Sequence, residues 1–260
     1  VPKVQSTAKI LYTIYFGMTL IQLALLLIGR VPLFDSLCIT FGTAGTGGFG
    51  IVNDSLGSYS TYCQVVTTIF MILFGVNFSA YYLILTKKFR QAFKYEEVRY
   101  YFGIIAVAIV IIALNTAHLF RNLLTAFQQA AFQVGSIITT TGFSSTDFNQ
   151  WPALSKTVLV LLMFVGACAG STGGGIKVSR ILILCKAAKK EFQLYLHPNA
   201  VKKIKMDDKV ITHDILRSTN IYISLYLMIL AASVLLIAID NFDLITNFMA
   251  VTATLNNVGP

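Results

Sequence analysis

An all-α integral membrane protein, built from repeated units of spanning helix, re-entrant half-helix and spanning helix and carrying one Gly-rich broken helix, is the fold class this sequence predicts. Three observations carry the prediction. The chain is 56% hydrophobic and only 12% charged, with a mean hydropathy of +0.72, whereas a soluble domain carries about a quarter charged residues. Short tracts rich in Gly, Thr and Asn recur along it, each after an apolar stretch too short to cross a bilayer. One apolar run is interrupted by "GACAGSTGGGIK" at 166–177.

The spans come first. Ile10 to Gly29 is 20 residues without a charge, and at ~1.5 Å rise per residue it covers a hydrocarbon core of ~30 Å. Similar runs occupy Tyr62–Thr86, Tyr101–Phe120, Trp151–Met163 continuing past the Gly-rich break to about Ala187, and Ile221–Ile239, which makes five spans. The first run is too long for a signal peptide and lacks a small-residue cleavage site, so it reads as a retained span. Lys87 to Arg99 holds five basic and two acidic residues, Lys186 to Arg217 eight and four, and Lys3 and Lys9 precede the first span. The alternate segments carry Arg30, Arg121 and Lys156 against Asp35, Asp54, Asp147, Asp240 and Asp243. By the positive-inside rule the N-terminus and both basic loops are cytoplasmic. The net charge of +9 therefore reports topology, not a nucleic-acid partner. Cys38, Cys63, Cys168 and Cys185 have no metal-ligand spacing and read as free thiols. The three histidines are scattered, so no catalytic or metal cluster is expected and the chain is not read as an enzyme.

The alternate segments share a pattern that ordinary loops lack. They read "VPLFDSLCITFGTAGTGGFG", "FRNLLTAFQQAAFQVGSIITTTGFSS" and "DNFDLITNFMAVTATLNNVGP". Each starts at a polar or proline break, continues as an amphipathic, mostly apolar stretch, and closes on a Thr/Asn/Gly tract. Such stretches are too short to span and fit re-entrant half-helices. The tracts align on Gly48, Gly142 and Gly259, 94 and 117 residues apart (from 48 to 142 and from 142 to 259). Recurrence at a roughly constant period points to a quasi-symmetric assembly around an axis.

Non-helical backbone at membrane depth is tolerated only where it is buried in protein or lines water. A strand whose carbonyls all face a central axis needs backbone angles that glycine supplies most readily. Rings of carbonyl oxygens can replace the hydration shell of a monovalent cation. Thr46, Thr140, Thr141 and Asn257 stand beside the aligned glycines, where their backbones and small polar side chains could support such rings. The competing reading is three Gly- and Thr-rich surface turns, which the repeated placement after an apolar half-helix disfavours. Asp54 and Asp147 follow their glycines by six and five residues. They would lie at the outer mouth, either concentrating cations or simply solvated.

Residues 166–177 admit two readings. A phosphate-binding loop needs G-x-x-x-x-G-K-[ST] between a strand and a helix. Gly170 to Gly175 has the glycine spacing, but Ile176 precedes Lys177, Val178 stands near where a hydroxyl is needed, and the flanks read as transmembrane. The better reading is irregular backbone unwinding a transmembrane helix at mid-depth, stable where it lines a water-filled cavity. Lys177 and Arg180 follow it, either holding the loop through its carbonyls and opposing cations, or anchoring the helix at the interface.

At these residues the chain resembles the Trk/Ktr/HKT superfamily of potassium transporters, in particular the bacterial TrkH-type subunit. The resemblance rests on "TGGFG" at 46–50, "FMILFGVNFSAYY" at 70–82, "SIITTTGFSSTDFNQWP" at 136–152, "CAGSTGGGIKVSR" at 168–180, "LHPNAV" at 196–201 and "ATLNNVGP" at 253–260, in family order over nearly the whole chain. It implies a K⁺ pore of four membrane-pore-membrane repeats in a multi-pass protein of the cell inner membrane. The ion would meet the backbones of Thr46, Gly47 and Gly48, of Thr140, Thr141 and Gly142, and of Asn257, Val258 and Gly259. The resemblance makes Gly170, Ser171, Thr172, Gly173, Gly174 and Gly175 a gate beneath the filter, with Lys177 and Arg180 beside it.

By resemblance, residues 1–86 are the family's second repeat with filter 45–49, and 101–187 the third with filter 139–143 and gate 170–175. Residues 214–260 are part of the fourth, ending at filter 256–259, and 87–100 and 188–213 are the basic cytoplasmic loops. The first repeat and the final helix are not in the sequence, so a piece of a longer protein is expected. The family works as a homodimer on cytoplasmic nucleotide-binding regulatory subunits of the TrkA type, within the lipid bilayer. No cofactor is expected beyond the transported K⁺. Within the superfamily the alternative is a Na⁺-permeable or Na⁺/H⁺-coupled transporter, which the intact glycines disfavour. From another class, it is a membrane nucleotide-binding protein using residues 170–177.

Overall fold

The computed structural model describes residues 2–92, 94–197, 203–207 and 209–258. Among them, eleven α-helices follow one another: α1 (Pro2–Ile28), α2 (Leu33–Ala44), α3 (Thr61–Phe74), α4 (Phe78–Leu85), α5 (Phe89–Ala92), α6 (Glu96–Thr116), α7 (Leu123–Ile138), α8 (Ala153–Val165), α9 (Val178–Leu196), α10 (His213–Ile237) and α11 (Leu244–Asn256). Strands β1 (Lys205–Met206) and β2 (Lys209–Val210) pair antiparallel, Met206 opposite Lys209, in a small hairpin before α10.

Local chemistry sets several boundaries. Ser60 caps α3 by accepting the Cys63 N–H, Asn77 caps α4 from Ser79, and Asp243 caps α11 from Thr246, each satisfying a donor left open at a helix start. Inside the apolar helices, threonine hydroxyls return to the carbonyl four residues back, as Thr19, Thr43, Thr68, Thr116 and Thr139 do. That contact gives each of these five hydroxyls a partner within its own helix.

The helices pack as a recurring unit. α1 contacts α2, α3 and α4, and α6 contacts α7, α8 and α9 in the same relation, while α10 contacts α11. Neighbouring units also meet in the same way: α3 packs on α7, and α8 packs on α11. One buried cluster centres on Tyr101, Ile112, Val134, Ile138 and Leu159, the other on Leu26, Met71, Phe74 and Phe132. Phe143, from the tract after α7, is buried in the second cluster against Gly42 of α2, where an added Cβ would lie 2.9 Å from its ring. The first unit is thus keyed into the second. With little hydrophobic drive between helices inside a bilayer, such close packing supplies much of the association.

Three helical stretches among the described residues are long and apolar enough to cross a membrane, namely Ala8–Ile28, Glu96–Leu119 and His213–Asp240. This bears out an all-α membrane architecture, and one of the five expected spans differs from its expectation. The run Tyr62–Thr86 is not one helix: α3 and α4 meet at a bend of 92°. α3 stops at Phe74, with the Gly75 N–H on Met71 and Val76 on Leu73, and Asn77 caps the next helix. Gly75 and Asn77 mark the stop and the cap, but hydropathy averaged over the run hides the turn. The run from Trp151 to Ala187 is split into α8 and α9 by residues 166–177, as the Gly-rich stretch predicts.

Candidate functional site

The three half-helices end identically. Thr46, Thr140 and Asn257, two residues before the aligned glycines, all adopt left-handed backbone, with φ of 52°, 58° and 56°. Around each runs the same pair of terminal bonds. Gly47 donates to Gly42 O (2.8 Å) and Thr46 to Thr43 O (3.3 Å); Thr141 to Ser136 O (2.9 Å) and Thr140 to Ile137 O (3.1 Å); Val258 to Ala253 O (2.9 Å) and Asn257 to Thr254 O (3.1 Å). This is the Schellman helix stop, usually built on glycine. Threonine in this conformation stores on the order of 1 kcal/mol of strain, asparagine less. Gly259, the third aligned glycine, lies outside the described residues.

The stop turns each chain sharply out of its helix, so Gly48 and Gly142 leave with φ of 70° and 91°. The tracts then run against one another. A Cβ on Gly48 would sit 1.9 Å from Thr141 O, so glycine is required there for closeness as well as for angle. Thr139 and Thr141 share a hydroxyl–hydroxyl bond of 2.8 Å, and Ser136 donates to Phe143 O at 2.6 Å, so this tract is held from behind. Helix C-termini carry partial negative charge from their open carbonyls. Three of them, brought together at one place, favour a cation there. Beyond the tracts a cavity of 650 Å³ is lined by Gly48, Asp54, Ser144 and Asp147, so the two expected mouth carboxylates share one chamber. Both also have structural partners: Asp54 accepts from Ser58, and Asp147 caps a short turn at Asn149. Nearby, the Tyr59 hydroxyl donates to Asp35 at 2.8 Å. Burial first and then this carboxylate raise its pKa above the ordinary phenol value.

Residues 166–177 form a closed excursion between α8 and α9. At its neck, Ile176 N donates to Phe164 O and Val178 N to Ala167 O, and Gly166 lies against Gly175. Its tip presses on all three helix ends. Thr46 Oγ1 donates to Thr172 O at 3.4 Å, and Gly174 N donates to Thr140 Oγ1. A Cβ on Gly174 would be 2.5 Å from Asn256 O and 3.3 Å from Asn257 Cβ, and one on Gly173 would be 2.8 Å from Thr139 O. The excursion also bonds to the bend between α3 and α4: Cys168 N to Gly75 O (3.0 Å), Phe78 N to Gly170 O (3.1 Å) and Thr172 N to Phe74 O (3.4 Å).

Lys177, itself left-handed at φ 83°, donates from Nζ to Gly173 O and so holds the loop through a carbonyl. Arg180 lies further back, donating to Ile176 O at 3.0 Å and stacking on Tyr222 at 4.0 Å. The residue that the sequence reading misses is Glu97. It is 3% exposed, and its Oε1 accepts from Ala169 N at 2.6 Å and Ser179 N at 3.1 Å, gripping the loop on both sides of its neck. Its neighbour Glu96 pairs with Lys186 and receives Asp207 of the hairpin on its own N–H at 2.7 Å. Two adjacent carboxylates opening an apolar run, in a segment otherwise basic, were the available signal. The loop amides of Ala169, Thr172 and Gly174 are all committed to protein acceptors, one of them a carboxylate. That arrangement does not suit a phosphate.

Apolar helices in recurring units, with short helices ending together on glycine-rich backbone, define an all-α membrane protein built from repeated units. The whole chain, residues 1–260, matches the TrkH family, described as a cation transport protein. It is 34% identical over its full length to the Trk system potassium uptake protein TrkH of Salmonella typhimurium and 28% identical over 99% of it to TrkG of Escherichia coli K12, covering 54% of each. It superposes on the crystal structure of the potassium transporter TrkH from Vibrio parahaemolyticus with a TM-score of 0.94 and 31% identity, covering all of this chain and 57% of that one. The chain belongs to the TrkH family of cation transport proteins. It spans about half the length of the curated relatives it matches.

Proposed function

We infer that this chain supplies three walls of a K⁺-selective pore in a Trk-type uptake system. The selective backbone is that of Thr46–Gly48, Thr140–Gly142 and Asn257–Gly259, and the loop 170–175 closes it from below. The observation that carries this reading is the threefold recurrence of the same left-handed helix stop, with one loop packed on all three ends. Convergent helix C-termini and backbone carbonyls suit a partly dehydrated monovalent cation, and their chemistry offers nothing to an anion. The relatives' names, potassium uptake proteins, support the choice of ion. The basic segments support a cytoplasmic loop side, with the protein in the cell's inner membrane. There the protein works as a homodimer on nucleotide-binding regulatory subunits of the TrkA type.

The test is Rb⁺ against Na⁺ flux in proteoliposomes holding the intact protein that carries this sequence. Rb⁺ flux should exceed Na⁺ flux, and Gly142→Asp should abolish both without loss of folded protein. Flux that survives Gly142→Asp would end the pore reading.

A further inference from the structure

Four glutamines stand behind the two fully described tracts, a polar cluster that the conduction reading does not use. Gln64, on α3, is 5% exposed, and Gln133, on α7, is 1% exposed. Gln64 Nε2 donates to Leu56 O at 3.0 Å, in the segment after the first tract. Its Oε1 accepts from Gln128 at 3.1 Å and from Gln129 at 3.2 Å, one turn earlier on α7 than Gln133. Gln129 Oε1 in turn accepts from Ser145 Oγ at 2.5 Å, in the segment after the second tract. Gln133 reaches Thr146 O at 3.4 Å. The two segments are also joined directly: Leu56 N donates to Ser144 O at 2.8 Å, and Ser144 N to Ser55 Oγ at 3.1 Å.

We propose that this glutamine relay, with Gln64 at its centre, fixes the spacing between neighbouring walls of the filter and so determines its ion selectivity. The proposal rests on the pore reading above. A carboxamide both donates and accepts, so it can stand mid-chain in a network where a hydroxyl or a charge could not. It also adds no net charge beside carbonyls that must bind a cation and release it. Carbonyl dipoles gathered on an axis repel one another, and a ring of them keeps its diameter only when restrained from outside. The relay restrains two adjoining tracts through one residue, across the α3–α7 contact between units. Buried in a low-dielectric interior, the chain of bonds through Gln64 and Gln129 stiffens what it joins, and cutting one member loosens the rest. Gln64, Gln129 and Ser145 are thus positioning residues: they act on the ion through the backbone they hold.

The experiment compares Rb⁺ and Na⁺ permeation by the intact protein in proteoliposomes for wild type, Gln64→Leu and Ser145→Ala. Thr116→Val serves as a control, a buried hydroxyl bonded only within its own helix. Gln64→Leu is expected to lower the Rb⁺/Na⁺ ratio about tenfold while Na⁺ flux is kept or raised, Ser145→Ala to lower it by less, and Thr116→Val to leave it unchanged. Ser145→Ala removes one hydroxyl and keeps the relay testable should Gln64→Leu fold poorly. A ratio unchanged in Ser145→Ala and in folded Gln64→Leu, or Rb⁺ and Na⁺ flux falling in parallel, would overturn the proposal. A wild type without Rb⁺ preference would instead remove the pore reading itself, and this proposal with it.

Discussion

The carboxylate of Glu97 accepts the main-chain N–H of Ala169 at 2.6 Å, so the first turn of α6 holds the entrance of the excursion that divides α8 from α9. The same oxygen takes Ser179 N on the far side. A buried carboxylate bonded to two amides is worth roughly 1.5–3 kcal/mol per bond. Glu97→Ala should free the loop and raise Rb⁺ flux about tenfold in vesicles lacking any regulatory subunit. Glu97→Gln, which keeps an acceptor, should raise it less. Equal flux in all three proteins would show that this grip does not restrain the loop.

Lys177 and Arg180 should separate in the same assay. Lys177 binds a loop carbonyl directly, whereas Arg180 stacks on Tyr222 and bonds beyond the neck. Lys177→Met is expected to increase unregulated flux severalfold, on the scale of one charge-assisted hydrogen bond. Arg180→Leu should mainly lower thermal stability, through lost cation–π contact of about 1 kcal/mol. The reverse ranking would assign the loop contact to the wrong residue.

Neighbouring glycines in the first tract differ in what they tolerate. A Cβ on Gly48 would meet Thr141 O at 1.9 Å with φ at +70°, but one on Gly47 would meet nothing closer than 3.8 Å. Gly48→Ala should therefore abolish K⁺-dependent growth of an uptake-deficient strain, and Gly47→Ala should retain part of it. Growth of the Gly48→Ala cells would contradict the packing of the two tracts.

Gly75 is fixed by contact alone. An added methyl would lie 2.2 Å from Tyr101 Oη, a hydroxyl that donates to Ile72 O at 3.0 Å. Gly75→Ala should lower stability by about 1–3 kcal/mol through overpacking. Tyr101→Phe in the same chain should recover part of that loss. Thermal unfolding in detergent of the two single variants and the double variant gives the comparison, and purely additive losses would argue against the clash.

The repeat was legible because its cause is local. A helix stop that needs φ above zero selects Gly, Asn or a strained Thr at fixed spacing, and those letters stand in the chain at 46–48, 140–142 and 257–259. The Gly-rich break was legible for the same reason. The bend at Gly75 was missed, although Gly75 and the Asn77 cap signal it locally, because the run Tyr62–Thr86 averages out as apolar as one continuous helix. Glu97 entered the sequence reading only as a charge in a loop, since its partners lie 72 and 82 residues away and are main-chain amides without a sequence signature. The glutamines were hidden likewise: Gln64 and Gln129 are 65 residues apart and meet only when α3 packs on α7.

The bend between α3 and α4 and the excursion between α8 and α9 exchange main-chain hydrogen bonds in both directions. Two interrupted helices from different units therefore behave as meshed teeth rather than as separate hinges. The excursion cannot withdraw alone without stripping Gly75 O and the Phe78 amide of their partners. The less costly motion carries α4 along with it. Movement of the excursion is thereby shared across the seam between two units, and a pull applied to either one is felt by both.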